Sequence, residues 1–438
     1  MSDSPVARRP GSGQALFLLG LVAGLLAALT VDRAVRHFLD RDLELVRAVR
    51  DLTVTEYVRE VDPAQLVDDA LHAMLQELDD HSAFFGPREI AALERETSGE
   101  FLGIGAVFRG GEAGRILFAY PDSPAERAGL GVGDRILRAG GEPLAATEDL
   151  QEHLHVRGED GAVELEVEDL AGAQRAVRLR PEAVLDPTVR HARLLDPQAG
   201  LGYLAIRSFT HRTPGEFDQA VTDLQASGLR ALVIDLRDNP GGILDAAVTL
   251  ANRFVARGTL VATRSRTEVR RTEADPEAAT LAGLPVALLL DGSTASASEV
   301  LAAALQDHAV AVLVGEPSWG KGTVQTLKRI GADRAIVKLT TAHYCSPSLR
   351  RIEHDDDDSA WSGIAPDLYV PLARAERARV HDFLASYSPP EEARAALRAW
   401  EEREGRPLVT ALPRDAQLQT ALALLAGEPI ELHGSALE

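Results

Sequence analysis

The sequence predicts an α/β multidomain protein, and three observations support this fold class. From about residue 200, short apolar runs typical of buried strands alternate with helical patterns, which indicates an α/β core over residues 184–373. Residues 98–183 combine strand patterns with glycine turns, which indicates an inserted strand-rich domain. Helical patterns over 32–97 and 374–438 predict an N-terminal helical arm and C-terminal helices.

The individual elements of the core can be assigned from hydrophobic patterning. The predicted strands are Leu201–Ile206, Ala231–Leu236, Pro285–Leu290, Ala309–Val314, Thr323–Arg329 and Ala335–Thr340. The predicted helices are Thr213–Ser227, Ile243–Phe254, Ser296 to about Asp307, Glu391–Arg403 and Asp415–Leu425. Such alternation is typical of a sheet that is covered by helices.

Near the N-terminus, residues 15–31 form an uncharged and almost wholly apolar segment. A helix of this length reaches about 25 Å, slightly less than the ~30 Å hydrocarbon core of a bilayer. We therefore expect a retained membrane anchor, with residues 1–14 in the cytoplasm. A cleaved signal peptide with Arg8 and Arg9 as its basic region is the alternative, but no clear cleavage site follows. Arginines after the segment would by themselves place the C-terminal side in the cytoplasm.

Composition argues against several classes of function. The chain has 438 residues and a net charge of −21, which argues against a nucleic-acid partner because phosphate binding needs a basic face. Its one cysteine, Cys345, excludes an internal disulfide and a cysteine zinc site. The acidic run Asp355–Asp358 after His354 is typical of a solvated loop. We expect no metal and no cofactor.

Two short motifs contain residues suited to hydrolysis. Gly292–Glu299 (GSTASASE) places serines among small neighbours, just after an apolar run and at the start of a predicted helix. Gly320–Gln325 (GKGTVQ) holds a lysine between two glycines. A serine hydroxyl becomes a good nucleophile when a base takes its proton, and a desolvated, neutral lysine can be that base. Together the motifs suggest a Ser–Lys hydrolase.

The residues alone leave other interpretations open. Ser293, Thr294 and Ser298 rival Ser296 as nucleophile, and a serine-rich segment before a helix is often only a cap. Asp307 would lie on the same face of the predicted helix as Ser296 but about 16 Å along it, so neither Asp307 nor the adjacent histidine can contact Ser296.

One segment matches the sequence pattern of a phosphate-binding loop, but we do not expect it to bind phosphate. Gly315–Lys321 fits the pattern GxxxxGK. However, Gly322 stands where such loops need Ser or Thr, and a strand rather than a helix is predicted next. We therefore do not expect an NTPase.

The sequence resembles the C-terminal processing peptidases, also called tail-specific proteases. Six blocks carry this resemblance, occur in the family's order and span about residues 40–371. They are Leu78–Ser82 (LDDHS), Gly99–Gly105 (GEFLGIG), Asp235–Gly242 (DLRDNPGG), Thr294–Glu299 (TASASE), Gly320–Gln325 (GKGTVQ) and Gly363–Asp367 (GIAPD). The chain departs from the family at Asp80, where proline is usual, and at Cys345 and Ser346–Arg351. The departures at Cys345 and Ser346–Arg351 bear on substrate preference.

The resemblance implies a serine endopeptidase and assigns its catalytic residues. The family's nucleophile is the middle serine of its motif, which is Ser296 here. Lys321 is then the general base. Gln325 matches a functional glutamine of the family, and because residues i and i+4 of a strand share a face, we expect it to contact and orient Lys321.

An oxyanion hole needs two preorganised donors. The backbone N–H of Ala297, next to the nucleophile, is expected to be one of them. The other would come from Gly241 or Gly242, where a strand ends in a Pro-Gly-Gly turn. The same turn could also be only a strand-to-helix connection.

The strand-rich domain, residues 98–183, resembles a PDZ domain. Such domains bind a peptide C-terminus as an added strand, and backbone N–H groups of a glycine-containing loop hold its carboxylate. The candidate loop is Leu102, Gly103, Ile104 and Gly105. The implied partners are protein substrates bound through their C-terminal tails, with a homodimer or an adaptor protein as further partners.

The family is exported, which places the catalytic part on the periplasmic or extracytoplasmic side of the cell membrane. A single span at residues 15–31 would then be the anchor. Two other classes of function remain as alternatives. One is a catalytically inactive PDZ-bearing scaffold that binds tails, and the other is a crotonase-like acyl-CoA enzyme, which would need neither Ser296 nor Lys321.

Overall fold

The computed structural model describes residues 42–90, 93, 100–147, 150, 161–331, 334–353 and 363–429. The chain divides into two compact units, Met1–Gly86 and Pro87–Glu438. The predicted membrane span, residues 15–31, lies outside the described residues. Within the described ranges, no helix is both long and apolar enough to cross a bilayer.

The first unit is mainly helical. Its described elements are helix α1 (42–56), helix α2 (Pro63–Gln76) and strand β1 (Ala83–Phe85). Asp62 caps α2 by accepting the N–H of Ala64 at 2.9 Å, and Pro63 occupies the first turn. The predicted N-terminal helices are therefore confirmed for these residues, while β1 was not predicted.

The strand-rich domain opens the second unit. Its described elements are β2 (Glu100–Gly103), β3 (Ala106–Phe108), β4 (Ile116–Ala119), α3 (Pro124–Arg127), β5 (Arg135–Ala139), β6 (Glu142–Pro143), β7 (Val163–Glu168), β8 (Gln174–Leu179) and β9 (Glu182–Leu185). Strand β2 pairs antiparallel with β9, so the two ends of the domain lie side by side. Ile116, Ile136 and Leu165 are fully buried in its own hydrophobic core.

The α/β core and the C-terminal helices follow. Their elements are β10 (Val189–Asp196), β11 (Leu201–Ile206), α4 (Thr213–Ala226), β12 (Ala231–Asp235), α5 (Leu244–Phe254), β13 (Thr259–Ser265), β14 (Val269–Glu273), a 3-10 helix (Pro276–Ala278), β15 (Val286–Leu290), α6 (Ala297–Asp307), β16 (Ala311–Gly315), β17 (Thr323–Ile330), β18 (Ala335–Cys345), β19 (Leu368–Tyr369), α7 (Arg374–Ala385), α8 (Glu391–Glu404) and α9 (Ala416–Ala426).

A six-stranded sheet in the order β10-β11-β12-β15-β16-β19 lies at the centre of the core. Strand β10 is antiparallel to β11, and the other neighbouring strands are parallel. Every residue of β11, β12 and β15 is buried. This burial explains their uninterrupted apolar sequences, because parallel strands are covered on both faces.

Helices cover both faces of this sheet. Alternate residues such as Leu204 and Leu288 pack with α4, α5 and α6 on one face. Their neighbours Tyr203 and Leu289 face the other side, where they pack with α7 and α9. The C-terminal helices are thus part of the core, and the predicted α/β class is confirmed.

A second sheet is antiparallel and carries part of the predicted site. Strand β18 pairs with β17 on one side and with β13 on the other, and β13 pairs with β14. The β13–β14 hairpin was not predicted from the sequence. All residues of β14 are exposed, so it lacks the apolar alternation that reveals a half-buried strand.

Helix α8 packs against the strand-rich domain. Leu397 and Trp400 of this helix form one buried cluster with Phe118 of β4. The guanidinium of Arg109 lies 5.3 Å from the centre of a Trp400 ring, in a cation–π contact. The C-terminal region therefore touches both the strand-rich domain and the central sheet.

Candidate active site

Ser296 lies at the junction between β15 and α6. It is half-buried and directly precedes the first residue of the helix. Its backbone has φ 57° and ψ −117°, which is unusual for a residue with a side chain. Such strained conformations cluster at active sites, where the surrounding structure holds them in place.

The rival hydroxyl groups of the same motif are engaged elsewhere. Thr294 is fully buried, and its hydroxyl donates to the carbonyl oxygen of Leu236 at 2.9 Å. Ser298 is also fully buried, and its hydroxyl donates to the carbonyl of Asn239 at 3.2 Å. Both side chains thus fasten the motif to the end of β12 and the turn that follows it.

Glu299 joins the two predicted motifs and is the site residue that sequence reasoning missed. Its Oε2 accepts the N–H of Ser296 at 2.7 Å and the N–H of Lys321 at 2.9 Å. Its Oε1 accepts the N–H of Gly320 at 2.6 Å and the hydroxyl of Ser318 at 2.5 Å. One buried carboxylate therefore holds the serine turn and the lysine loop together.

The sequence does carry a signal for Glu299. Ser296 and Glu299 have the spacing of a capping box, in which the glutamate reaches back to the N–H of the cap residue. Burial raises the pKa of Glu299, while the hydrogen bonds from Ser318, Gly320, Ser296 and Lys321 act to lower it. What the spacing does not reveal is the contact with the loop that carries Lys321.

Lys321 lies in the loop that leads into β17 and is half-buried. Burial lowers the pKa of its ammonium group, the charge of Lys338 lowers it further, and Glu299 opposes both. A side chain at Gly322 would come within 2.5 Å of Glu353, so a glycine is required there. The lysine is therefore held in a tight loop whose surroundings, on balance, lower its pKa.

Gln325 makes a different contact from the one predicted. Its side-chain amide donates to the hydroxyl of Thr340 on the neighbouring strand at 3.3 Å. Lys321 and Gln325 do not occupy positions i and i+4 of one regular strand, because Lys321 precedes β17 and the strand register is irregular between Val324 and Gln325. An orienting contact between Gln325 and Lys321 stays a prediction.

The turn after β12 lies against the serine. A Cβ atom on Gly241 would be 2.8 Å from the Cβ of Ser296, so this glycine allows the close approach. The N–H of Gly241 donates to Oδ1 of Asn239 at 2.9 Å, and its carbonyl accepts the N–H of Phe209 at 2.8 Å. Both backbone groups of Gly241 are therefore already in use.

Gly242 and Ala297 are the other predicted oxyanion donors. Gly242 has φ 139°, and a Cβ atom there would collide with the carbonyl oxygen of Phe209. Ala297 is the first residue of α6. Its N–H therefore belongs to the amides that have no acceptor within their own helix.

Asp307 and His308 have structural roles at the far end of α6. The Asp307 carboxylate accepts the N–H of Ser348 at 2.9 Å and lies 3.7 Å from the Arg350 guanidinium. The His308 ring bonds to the carbonyl of Thr259 at 2.8 Å. The prediction that neither residue serves Ser296 is consistent with these contacts.

The predicted peptide-binding loop is only partly a loop. Leu102 and Gly103 belong to β2 and pair with Ala183 and Glu182 of β9. Ile104 is buried, and Gly105, with φ 74°, forms the turn into β3. A Cβ atom on Gly105 would collide with the side chain of Ser123, which explains the glycine.

The part of the chain that the structure describes contains no group of three or more His, Cys, Asp or Glu side chains that could hold a metal ion. The acidic run Asp355–Asp358 lies outside that part.

Comparison with known families identifies two domains. Residues 200–370 match peptidase family S41, and residues 116–169 match the PDZ domain. The first match covers the strands, turns and loop that carry Ser296 and Lys321. The second covers most of the strand-rich domain.

Two relatives with the name carboxy-terminal processing protease are similar over most of the chain. The carboxy-terminal-processing protease of Bartonella bacilliformis is 31% identical over 386 residues, which are 85% of this chain and 86% of that protein. The carboxy-terminal processing protease CtpA of Bacillus subtilis is 31% identical over 298 residues, 66% of this chain and 62% of that protein.

Among solved structures, the photosystem II D1 C-terminal processing protease is 30% identical and has a TM-score of 0.43. The match covers 73% of this chain and 85% of that protein's chain. The sequence matches, taken with the S41 and PDZ domains, show the family. The chain belongs to the carboxy-terminal-processing proteases, which are peptidases of family S41 that carry a PDZ domain.

Proposed function

We propose that this protease is a serine endopeptidase that cleaves proteins near their C-termini, with Ser296 as nucleophile and Lys321 as general base. The observation that carries this proposal is the Glu299 carboxylate, one oxygen of which binds the backbone of both residues. Two residues 25 positions apart are thereby held at one point of the core. A nucleophile and its base need side chains within hydrogen-bond reach of each other, and backbones anchored to one oxygen atom favour such a meeting.

The chemistry proceeds in two halves. Nζ of neutral Lys321 takes the proton of the Ser296 hydroxyl. At the same time, Oγ of Ser296 attacks the carbonyl carbon of the scissile peptide bond. The resulting ammonium returns the proton to the leaving amine, and an acyl-enzyme ester remains. Water, activated by the same lysine, then hydrolyses the ester. The lowered pKa of Lys321, which burial causes, makes the neutral base more available near neutral pH.

The developing oxyanion needs donors beside Ser296, and the proposal assigns them to Ala297 and Gly242. Gly241 is the weaker candidate, because its N–H already donates to Asn239. The Ala297 amide opens α6, so the helix dipole also favours negative charge there. Gln325 completes the proposed set by orienting Lys321 during the reaction.

The PDZ domain would select the substrate tail. Residues 102–105 would present N–H donors to its free carboxylate, and the tail would add as a strand along β3. Among the described residues, β3 pairs with β4 alone, and the tail would pair with the other edge of β3. The proposed limits are 98–183 for this domain, 184–373 for the protease core and 374–438 for the C-terminal region.

The protease would also have a defined location and further partners. Residues 15–31 would anchor the chain by a single membrane span, with the catalytic part on the extracytoplasmic side. A homodimer or an adaptor protein would be a further partner.

The decisive experiment compares wild-type protein with Ser296→Ala on a peptide that ends in a free carboxylate. Cleavage by the wild type and none by a folded Ser296→Ala variant supports the proposal. Tail binding without cleavage in both proteins would instead identify an inactive PDZ-bearing scaffold.

A further inference from the structure

Arg237, in the block Asp235–Gly242 (DLRDNPGG), is a buried cation with two sets of partners. It is 1% exposed and lies two residues after the end of β12. Its Nε and Nη2 donate to Oδ1 and Oδ2 of Asp235 at 2.9 and 2.7 Å. Its Nη1 donates to Oδ1 of Asp415 at 2.8 Å and to Oε1 of Gln417 at 3.0 Å.

The second set of partners comes from the C-terminal region, in which the sequence shows no recognisable motif. Asp415 is 1% exposed and caps α9 by accepting the N–H of Leu418 at 3.0 Å. Gln417 is fully buried, and its amide donates to the carbonyl of Val370 at 2.8 Å. Helix α9 thus brings a carboxylate to a cation 178 positions earlier in the chain.

Arg237 directly precedes the turn that faces the nucleophile. Asn239, two residues later, accepts the N–H of Gly241 with its side chain and the N–H of Ala295 with its carbonyl, at 2.9 and 3.0 Å. The same carbonyl accepts the hydroxyl of Ser298. The path of the backbone after Arg237 therefore sets where Gly241 and Gly242 lie relative to Ser296.

We propose that Asp415, assisted by Gln417, is a positioning residue that fixes the oxyanion turn through Arg237. This inference rests on the proposed function of that turn. A buried guanidinium needs a partner for each of its polar edges, since an unpaired edge would draw Arg237 toward water. Asp415 supplies that partner from outside the family-matched residues 200–370, so the catalytic turn is complete only when α9 is docked.

The test uses Asp415→Ser in the full chain. Serine caps a helix about as well as aspartate, so α9 keeps its cap, but the shorter side chain loses the contact with Arg237. The expected result with a tail peptide is a fall in kcat of at least about tenfold, with KM within about twofold. A peptide aldehyde, whose adduct with Ser296 places an oxyanion in the same hole, should bind more weakly by a similar factor.

The matched control is Leu418→Ala. Leu418 lies in the same helix and is 1% exposed, so the variant loosens the packing of α9 without touching Arg237. It should melt at a lower temperature and retain a kcat within about twofold of wild type. An equal loss of kcat in Leu418→Ala and Asp415→Ser would reduce Asp415 to a structural role and overturn the inference.

Two milder variants apply if Asp415→Ser does not fold. Asp415→Asn keeps the cap and an acceptor oxygen but removes the charge, and Gln417→Leu removes one acceptor of Arg237. Each variant should lower kcat about threefold or more. A wild-type kcat in both variants would refute the proposal that Asp415 and Gln417 position the oxyanion turn. The proposed function has a separate test. If Ser296→Ala still cleaves, the nucleophile is wrong, whatever the Asp415 variants do.

Discussion

The backbone N–H groups of Ser296 and Lys321 donate to the same oxygen atom, Oε2 of Glu299, at 2.7 and 2.9 Å. Neither residue can therefore move far without breaking a charge-assisted hydrogen bond. Such bonds are roughly twice as strong as those between neutral groups. The other oxygen of the same carboxylate holds the loop at Gly320 and Ser318, so the whole approach to the lysine is fixed.

Replacing Glu299 by glutamine should lower kcat by at least about tenfold and also destabilise the fold. Glutamine has one acceptor oxygen, and its NH2 group would face N–H donors. Each buried donor that loses its acceptor costs about 1–3 kcal/mol. Peptide-cleavage kinetics and thermal melting measure the two effects.

Glu216→Gln is the control for Glu299→Gln. Glu216 also accepts backbone N–H groups, those of Thr188 and Val189 at 2.7 and 3.2 Å, but it lies at the start of α4. This control should lose stability and keep wild-type kcat. A kcat for Glu299→Gln as high as that of the control would show that the carboxylate does not position the site.

Alanine substitutions should distinguish the roles of the hydroxyl groups of Thr294, Ser296 and Ser298. Ser298→Ala removes one buried hydrogen bond, which costs about 1 kcal/mol of stability. Thr294→Ala should cost more, because the Thr294 hydroxyl donates to Leu236 and also accepts the N–H of Asp291. Both variants should still cleave. Ser296→Ala should melt near the wild-type temperature and show no cleavage. Full turnover by Ser296→Ala with an inactive Ser298→Ala would assign the nucleophile to residue 298.

Activity should rise with pH as Lys321 loses its proton. Burial lowers the pKa of Lys321 in the folded protein below its ordinary value of 10.5, and only the neutral amine can act as base. Between the lowered pKa and 10.5, the unfolded chain binds more protons at this residue. The contribution of Lys321 to stability therefore increases with pH across this window. A pH–rate profile of kcat/KM locates the lowered value.

Lys321→Arg tests the same base directly. A guanidinium stays protonated, so this variant should be inactive at every pH. His308→Ala is the comparison, because a histidine base would give a rise centred near pH ~6.5. It should keep the wild-type profile, since the ring of His308 is bonded to Thr259. Cleavage by the arginine variant would rule out the proposed dyad.

Tail recognition should depend on a free carboxylate. Peptides that end in apolar residues should bind more weakly after C-terminal amidation, because the N–H donors of the loop then face an uncharged group. Gly105→Ala should have a similar effect, since its Cβ would collide with Ser123 and the residue would have to hold a positive φ. Titration calorimetry with the acid and amide forms measures both. Equal affinity of the two forms for the wild type would reject carboxylate capture.

Much of the core could be predicted because its sequence patterns are local. Strand β11 has the predicted limits, and β12 and β15 differ from theirs by one residue, since continuous apolar runs bounded by turns mark buried strands. The Ser296–Glu299 spacing likewise marks the start of α6. Strand β14 has no such pattern, because all of its residues are exposed.

Contacts between distant segments could not be predicted in the same way. Two of the partners of Arg237, Asp415 and Gln417, are 178 and 180 positions further along the chain, and no periodicity relates them to it. The contact between Gln325 and Lys321 was predicted from the geometry of a regular strand. The register is irregular between Val324 and Gln325, so that geometry does not hold here. Local patterns thus indicated the serine motif and the lysine loop, and the family resemblance selected Ser296 and Lys321 within them. The interactions that join the two segments depend on the tertiary fold.

The docking of α9 has a consequence for self-cleavage. A protease that acts on chain ends has a carboxyl-terminal segment of its own, and here Leu418 and Ala421 of that segment lie buried against the central sheet. If another molecule cut the chain between α8 and Asp415, two partners of Arg237, Asp415 and Gln417, would be separated from the core together with α9. If Asp415 positions the oxyanion turn as proposed, autolysis at this point would inactivate the cut molecule without touching Ser296 or Lys321, and each such cut would limit further autolysis.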